Sequence, residues 1–291
     1  MPTTLLVMVT MVAFAANSVL CRMALGEAVI DAASFTTLRL CSGAAMLAVI
    51  LLWRQSRQGK KINVSLDAPS SLMLFCYAAF FSFAYTELST ASGALILFGA
   101  VQFTMVTAGV LQGERPGPLV WLGMGFALSG LTYLLLPGAT APSLHGGILM
   151  SLAGLAWGIY SLRGKGSTDP VHSTAWNFIA TIPLTLICSL VFLADIHLST
   201  IGIILGITSG ALASALGYII WYTALPRLTP SQAATVQSSA PILAGIGGVI
   251  LLGEVFTSRL AVAGLAVLGG IGLTIYAKKK PARMNKEVVR P

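Results

Sequence analysis

Stretches of about 20 apolar residues recur along this chain with no polar domain between them, and that pattern leaves few folds open. At 56% hydrophobic and 9% charged, the 291-residue sequence lies far from a soluble domain, in which about a quarter of residues are charged. A bilayer core about 30 Å thick needs about 20 residues of helix to cross it. Lipid offers backbone groups no partners, so runs this apolar satisfy their hydrogen bonds internally as helix. Strand alternation is absent, which excludes an outer-membrane barrel. The spans fall at 3–24, 33–53, 70–88, 91–112, 117–136, 145–163, 173–194, 200–223, 230–252 and 258–277. The expected fold class is an all-α integral membrane protein with ten transmembrane helices.

Orientation follows from charge. With residue 1 placed in the cytoplasm, fourteen of the 17 Lys and Arg residues fall on that side, Arg22 and Arg259 fall opposite, and Arg39 lies inside the second span. The positive-inside rule then puts both termini in the cytoplasm of a multi-pass inner-membrane protein. It also accounts for the net charge of +8 without nucleic acid, the basic tail 278–290 meeting anionic lipid headgroups. Ala13–Ala16 resembles a signal-peptidase site, but Met1–Thr4 carries no Lys or Arg and the apolar run continues through Leu20, so the segment reads as a true helix.

The chain is also written twice. Gly113–Glu114 maps onto Gly253–Glu254 at an offset of 140 residues, and Tyr85–Leu88 maps onto Tyr222–Leu225 at 137, a three-residue insertion reconciling the two. Five helices per half is an odd number, so the second copy enters the membrane from the other side. The expectation is two inverted five-helix repeats, residues 1–137 and 138–291, forming one transmembrane domain with Glu114 and Glu254 at opposite faces. Gly109 with Gly113, Gly154 with Gly158, and Gly202, Gly206 and Gly210 are spaced for close helix contacts. Pro183 and Pro241 fall near the middles of spans seven and nine, where each is expected to kink its helix.

This five-plus-five pattern, with Gly113-Glu114-Arg115-Pro116 and Leu252-Gly253-Glu254 closing helices four and nine, resembles the drug/metabolite transporter (DMT) superfamily, and most nearly its EamA-type exporters. Family first helices often carry Trp-Gly where this chain has Ala16-Asn17; Trp157-Gly158 stands in helix six instead. Length, short ends and the aromatic-rich second half look most like the aromatic and neutral amino-acid exporters of the YddG type. The resemblance implies export of amino acids from the cytoplasm; the expected partners are small-molecule substrate and membrane lipid, with the protein a monomer or weak dimer.

Polar groups deep in lipid are costly and often line a substrate path. Asn17 and Gln102 sit near the middles of helices one and four, and Gln232, Thr235, Gln237, Ser238 and Ser239 surround Pro241 in helix nine. Any one of them is equally readable as interhelical glue, but the helix-nine cluster is expected to line the pathway. Trp157, Tyr160 and Tyr218 lie deep enough to stack on an apolar or aromatic substrate side chain or on its ammonium, whereas Trp53, Trp221, Tyr222 and Tyr276 near helix ends read as interfacial anchors and Phe80, Phe81 and Phe83 as packing or lipid-facing. Arg39 is the one deep charge, open to three readings: a receptor for a substrate carboxylate, a side chain snorkelling outward, or a partner of Asp31 or Glu87. No acid falls at mid-membrane, which favours uniport or loose exchange over tight proton coupling. Cys21, Cys41, Cys76 and Cys188 lack metal or CxxC spacing, the three histidines lie in loops, and no phosphate-binding glycine fingerprint occurs, so no enzyme activity, metal or cofactor is expected. Two alternatives stand beside amino-acid export: a proton-linked exporter of lipophilic drugs, and a non-transporting membrane scaffold or sensor.

Overall fold

The computed structural model describes residues 2–58, 63–164, 167–228 and 236–279. Among these it contains, besides a single 3-10 turn at Leu193–Asp195, ten longer helices: α1 (Thr3–Gly26), α2 (Ala32–Gln58), α3 (Ala68–Tyr85), α4 (Thr90–Leu111), α5 (Pro118–Leu135), α6 (Leu144–Gly164), α7 (Pro170–Val191), α8 (Thr200–Arg227), α9 (Ala240–Leu252) and α10 (Ser258–Lys279). Eight are long and apolar enough to cross a membrane; α6 and α9 are not. The glycines, His145 and Arg163 of α6 dilute its hydropathy, and its inner face is buried against α3 and α4 instead. Gln232, Thr235, Lys60, Lys61, Lys165 and the tail from Lys280 onward lie outside the described residues.

Local chemistry sets where the helices start and stop. Asp67 and Asp169 accept from the backbone N–H of Ser70 and His172, with a proline in each first turn, where the missing N–H costs nothing. At the other ends, α4 and α9 stop on glycines in the left-handed region, Gly113 at φ 93° and Gly253 at φ 63°. The next residue in each case folds back: Glu114 N–H donates to Gly109 O at 2.9 Å and Glu254 N–H to Gly248 O at 3.1 Å. Each carboxylate then lies over that same glycine, so a Cβ at Gly109 would stand 2.6 Å from Glu114 Oε2. The repeated Gly-Glu pair is thus a helix C-cap, and Gly109 serves its own helix terminus and not, as its spacing suggests, a neighbouring helix.

Helix packing is reciprocal between the halves. The α1 helix packs on α8 and α9 as α6 packs on α3 and α4, while α2 with α7, α4 with α9, and α5 with α10 form self-paired contacts. Small residues make these approaches possible. A Cβ at Gly154 would stand 2.6 Å from Leu97 O on α4, one at Gly123 would stand 2.5 Å from Gly270 O on α10, and one at Gly210 would collide with the Arg39 carbonyl on α2.

Ion pairs tie the two ends of the bundle. Where α3 and α7 start, Arg163 pairs with Asp67 at 2.8 Å and Arg54 with Asp169 at 3.0 Å. At the opposite end Glu254 accepts Arg22 Nε at 3.2 Å and the Thr90 N–H at 3.0 and 2.9 Å, while Arg22 Nη1 donates to Tyr85 O at 3.0 Å. Glu254 therefore sits where α4 begins and Glu114 where α4 ends, at opposite faces as expected of an inverted repeat. Nearby, Glu87 accepts from the Ser143 hydroxyl, His145 Nδ1 and the Gly146 N–H. The Ser143 and His145 bonds hold its carboxyl below the ordinary value of 4.5 against partial burial. What Glu87 contributes to closing this end is therefore present at neutral pH and lost as the solution is acidified through its lowered value. Replacing Glu254 with Ala should lower stability by about 1.5–3 kcal/mol, the cost of losing hydrogen bonds to a largely buried charge, read as a drop in the thermal-unfolding midpoint in detergent.

Two expectations are corrected. Trp221 and Tyr222 are 1% and 4% exposed, buried by α1, α6 and the rest of α8, not interfacial anchors; Trp53 and Tyr276, at 59% and 55%, are exposed as expected. Pro241 does not kink a continuous ninth span. The chain turns at Ser238 and Ser239 and α9 starts at Ala240 with Pro241 in its first turn, because proline lacks the N–H that a continuing helix would use.

Candidate functional site

The candidate site is built where α1, α2, α3, α6 and α8 meet. Polarity there comes first from α8, which widens into a π-helix over Ser209–Leu216, a run of small residues that lets the backbone swell. The swelling carries Ser209 and Ser214 to one polar group: Ser209 Oγ donates to Asn17 Oδ1 at 2.6 Å and Ser214 Oγ to the same atom at 3.5 Å. Arg39 Nε donates to Ser214 Oγ at 3.1 Å, and Arg39 Nη2 to the hydroxyls of Tyr77 at 3.0 Å and Tyr218 at 3.5 Å. Asn17 Nδ2 closes the network by donating to Tyr77 at 3.4 Å.

Arg39 is 1% exposed. It neither snorkels nor pairs with the acids considered for it: Asp31 accepts the N–H groups of Ser34 and His197, and Glu87 is held as described above. Its charge rests instead on hydroxyls and on two ring faces, Tyr77 at 5.0 Å and Phe81 at 4.9 Å, a cation–π arrangement that replaces part of the lost hydration. Nη1 is buried with no hydrogen-bond partner. A buried cation costs several kcal/mol unless paired, so the unpaired nitrogen makes Arg39 a candidate for binding a ligand or a water.

Beside this network lies a small cavity of about 20 Å³, room for roughly one water. Its walls are Phe14, Asn17 and Ser18 of α1, Tyr77 and Phe81 of α3, Leu97 and Phe98 of α4, Trp157 of α6, and Ala213 and Tyr218 of α8. Trp157 meets Tyr77 at 4.9 Å and Tyr218 at 4.8 Å in tilted ring contacts, with Phe14 edge-on at 5.8 Å. Two larger hollows, of about 710 and 430 Å³, are almost wholly apolar and open on the outer surface of the bundle. The small cavity, where the buried polar groups converge, is the better candidate.

The structure therefore brings together Asn17, Arg39, Trp157 and Tyr218, with Tyr160 packed behind Trp157 at 5.7 Å. It places Gln102 in the 430 Å³ groove among α4, α5, α6 and α10, and Pro241 on the 710 Å³ groove. Gln237 and Ser238 stand at the break before α9 and do not line the central cavity. Sequence reasoning missed Tyr77, Phe81, Ser209 and Ser214. Their residue types are common in any membrane helix; the available signal was that Tyr77, Phe81 and Tyr85 recur every four residues, a single face of α3.

The chain matches the sequence profile of the EamA-like transporter family over residues 1–136 and 144–276. It is 50% identical over 278 residues to an uncharacterized protein of Pseudomonas aeruginosa, covering 94% of each chain. It is 31% identical over 195 residues to the threonine/homoserine exporter RhtA of Escherichia coli K12, covering 62% of this chain and 63% of that one. A crystal structure at 19% identity superposes with a TM-score of 0.64, covering 93% of this chain and 99% of the other, a likeness of fold.

Proposed function

Since the chain belongs to the EamA-like transporter family, we propose that it is a secondary transporter exporting aromatic or neutral amino acids and related small metabolites across the bacterial cytoplasmic membrane. Both termini lie in the cytoplasm, and the units 1–137 and 138–291 rock about the central cavity in alternating access. The carrying observation is Arg39, a buried guanidinium with an unpartnered Nη1 that does not itself line the cavity but is hydrogen-bonded to Tyr77 and Tyr218 in its wall. A substrate carboxylate supplies the missing partner, and the rings of Phe14, Trp157 and Tyr218 receive the apolar side chain. At about 20 Å³ the cavity holds no amino acid, so substrate enters only after one end of the bundle parts. At the Glu254 end this means separating Arg22, Glu254 and the Thr90 N–H.

Reconstitution into liposomes with a panel of labelled amino acids tests the reading. Uptake should be saturable, and collapsing an imposed pH gradient should change the initial rate by less than about twofold, since no described acid lies at mid-membrane to cycle a proton. Trp157→Ala should slow uptake more than Gln102→Ala, which alters a side groove. Absence of uptake for every amino acid, or accumulation driven by pH, would refute it.

A further inference from the structure

The central site offers a counter-charge to a carboxylate and none to an ammonium. Asn17 Oδ1 already accepts from Ser209 and Ser214, and the Tyr77 hydroxyl accepts from Arg39 and Asn17. Arg39 occupies the ring faces of Tyr77 and Phe81, and the remaining rings of the wall, Phe14, Trp157 and Tyr218, offer a quadrupole but no charge. The described carboxylates that could reach inward are engaged at the ends of the bundle: Glu254 with Arg22 and Thr90, Glu87 with Ser143 and His145, Asp67 with Arg163, Asp169 with Arg54.

Charge balance sharpens this. A monocarboxylate on Arg39 makes a neutral pair in a low-dielectric centre, whereas a zwitterion leaves the complex with a net positive charge and sets its ammonium near a guanidinium. Resting on the reading of Arg39 as carboxylate receptor, we propose that the site takes the anions of small monocarboxylic acids that lack an amino group, hydroxy acids above all. Such an anion leaves a negatively charged interior downhill. The membrane potential therefore drives its export without a coupled proton, in keeping with a centre that contains a fixed cation and no titrating acid.

The test uses the wild-type protein in liposomes and three compounds of one skeleton: labelled threonine, 2,3-dihydroxybutanoate, in which hydroxyl replaces the amine, and threoninamide, which lacks the carboxylate. Dihydroxybutanoate should enter at least as fast as threonine, and threoninamide at least about tenfold more slowly, the effect of losing a charge-assisted hydrogen bond. An interior-positive potential of about 100 mV should drive dihydroxybutanoate toward about a fiftyfold accumulation and leave threonine near unity. Threonine uptake with dihydroxybutanoate at a tenth of its rate or less would overturn this proposal and leave amino-acid export standing. Dihydroxybutanoate uptake without threonine uptake would support the proposal and remove the amino-acid reading. No uptake of either would remove both, and threoninamide moving as fast as dihydroxybutanoate would remove the carboxylate receptor itself. Arg39→Lys, which keeps the charge and loses the planar fork, should retain part of dihydroxybutanoate uptake and Arg39→Gln none.

Discussion

Arg39→Met is expected to abolish transport of carboxylates, by at least about a hundredfold, while leaving the protein at least as stable as its parent. The two effects have opposite signs because the guanidinium is a cost in the resting fold. It is 1% exposed, no carboxylate pairs with it, and one of its nitrogens has no partner. Methionine fills a similar volume with no charge to desolvate, and replacing buried ions by apolar groups of like size is often neutral or stabilising by about 1–4 kcal/mol. Two of the three hydroxyls it leaves behind keep partners, Tyr77 still receiving Asn17 and Ser214 still donating to Asn17, while Tyr218 loses only a long contact of 3.5 Å. Thermal unfolding in detergent beside an uptake assay separates the terms. A midpoint lowered by more than about 5 °C would mean that Arg39 is chiefly a cross-link between α2, α3 and α8.

Gly210→Val should have the largest structural effect. Its Cβ would run into the Arg39 carbonyl and the Ser42 hydroxyl, so α8 can accommodate it only by lifting away from α2. Overpacking against backbone, which cannot rotate aside, should cost about 3 kcal/mol or more and deplete the monodisperse peak on size-exclusion chromatography. Gly264→Ala is the matched control: nothing lies within 4 Å of a Cβ there, and alanine is the better helix former. Equal behaviour of the two variants would show that the α2–α8 approach is looser than described.

The helices were legible because lipid allows an apolar run one economical conformation, and the opposed placement of Glu114 and Glu254 was legible because the Gly-Glu pairs close helices five apart in the chain, an odd number. Asn17 and Arg39 announced themselves as polar groups that lipid would penalise. Gln102 satisfied the same criterion and lies elsewhere, because α4 is apolar all round and gives no stripe from which its inner face could be read. Tyr77 and Phe81 were hidden for the converse reason: aromatic side chains are at home in lipid, so their burial around a cation leaves no trace in composition. Trp221 and Tyr222 looked interfacial because they fall near the end of a hydrophobic run, but α8 continues to Arg227 and carries them inside. The π-helix was unreadable, since Ser-Gly-Ala-Leu-Ala-Ser-Ala-Leu has no residue that demands a wider turn.

The pairing of α5 with α10 bears on how the chain is made. The α5 helix packs chiefly on α10 and only sparingly on α4, its own neighbour in the first half. During synthesis α5 therefore waits in the bilayer, with the Gly123 face that will meet Gly270 bare, until the last helix leaves the ribosome. Contacts so distant in sequence form late and leave a long interval in which wrong partners compete. Chains stopped before Ser258 should accordingly be the ones that quality-control proteases remove, although the residues around Arg39 are by then all in the membrane.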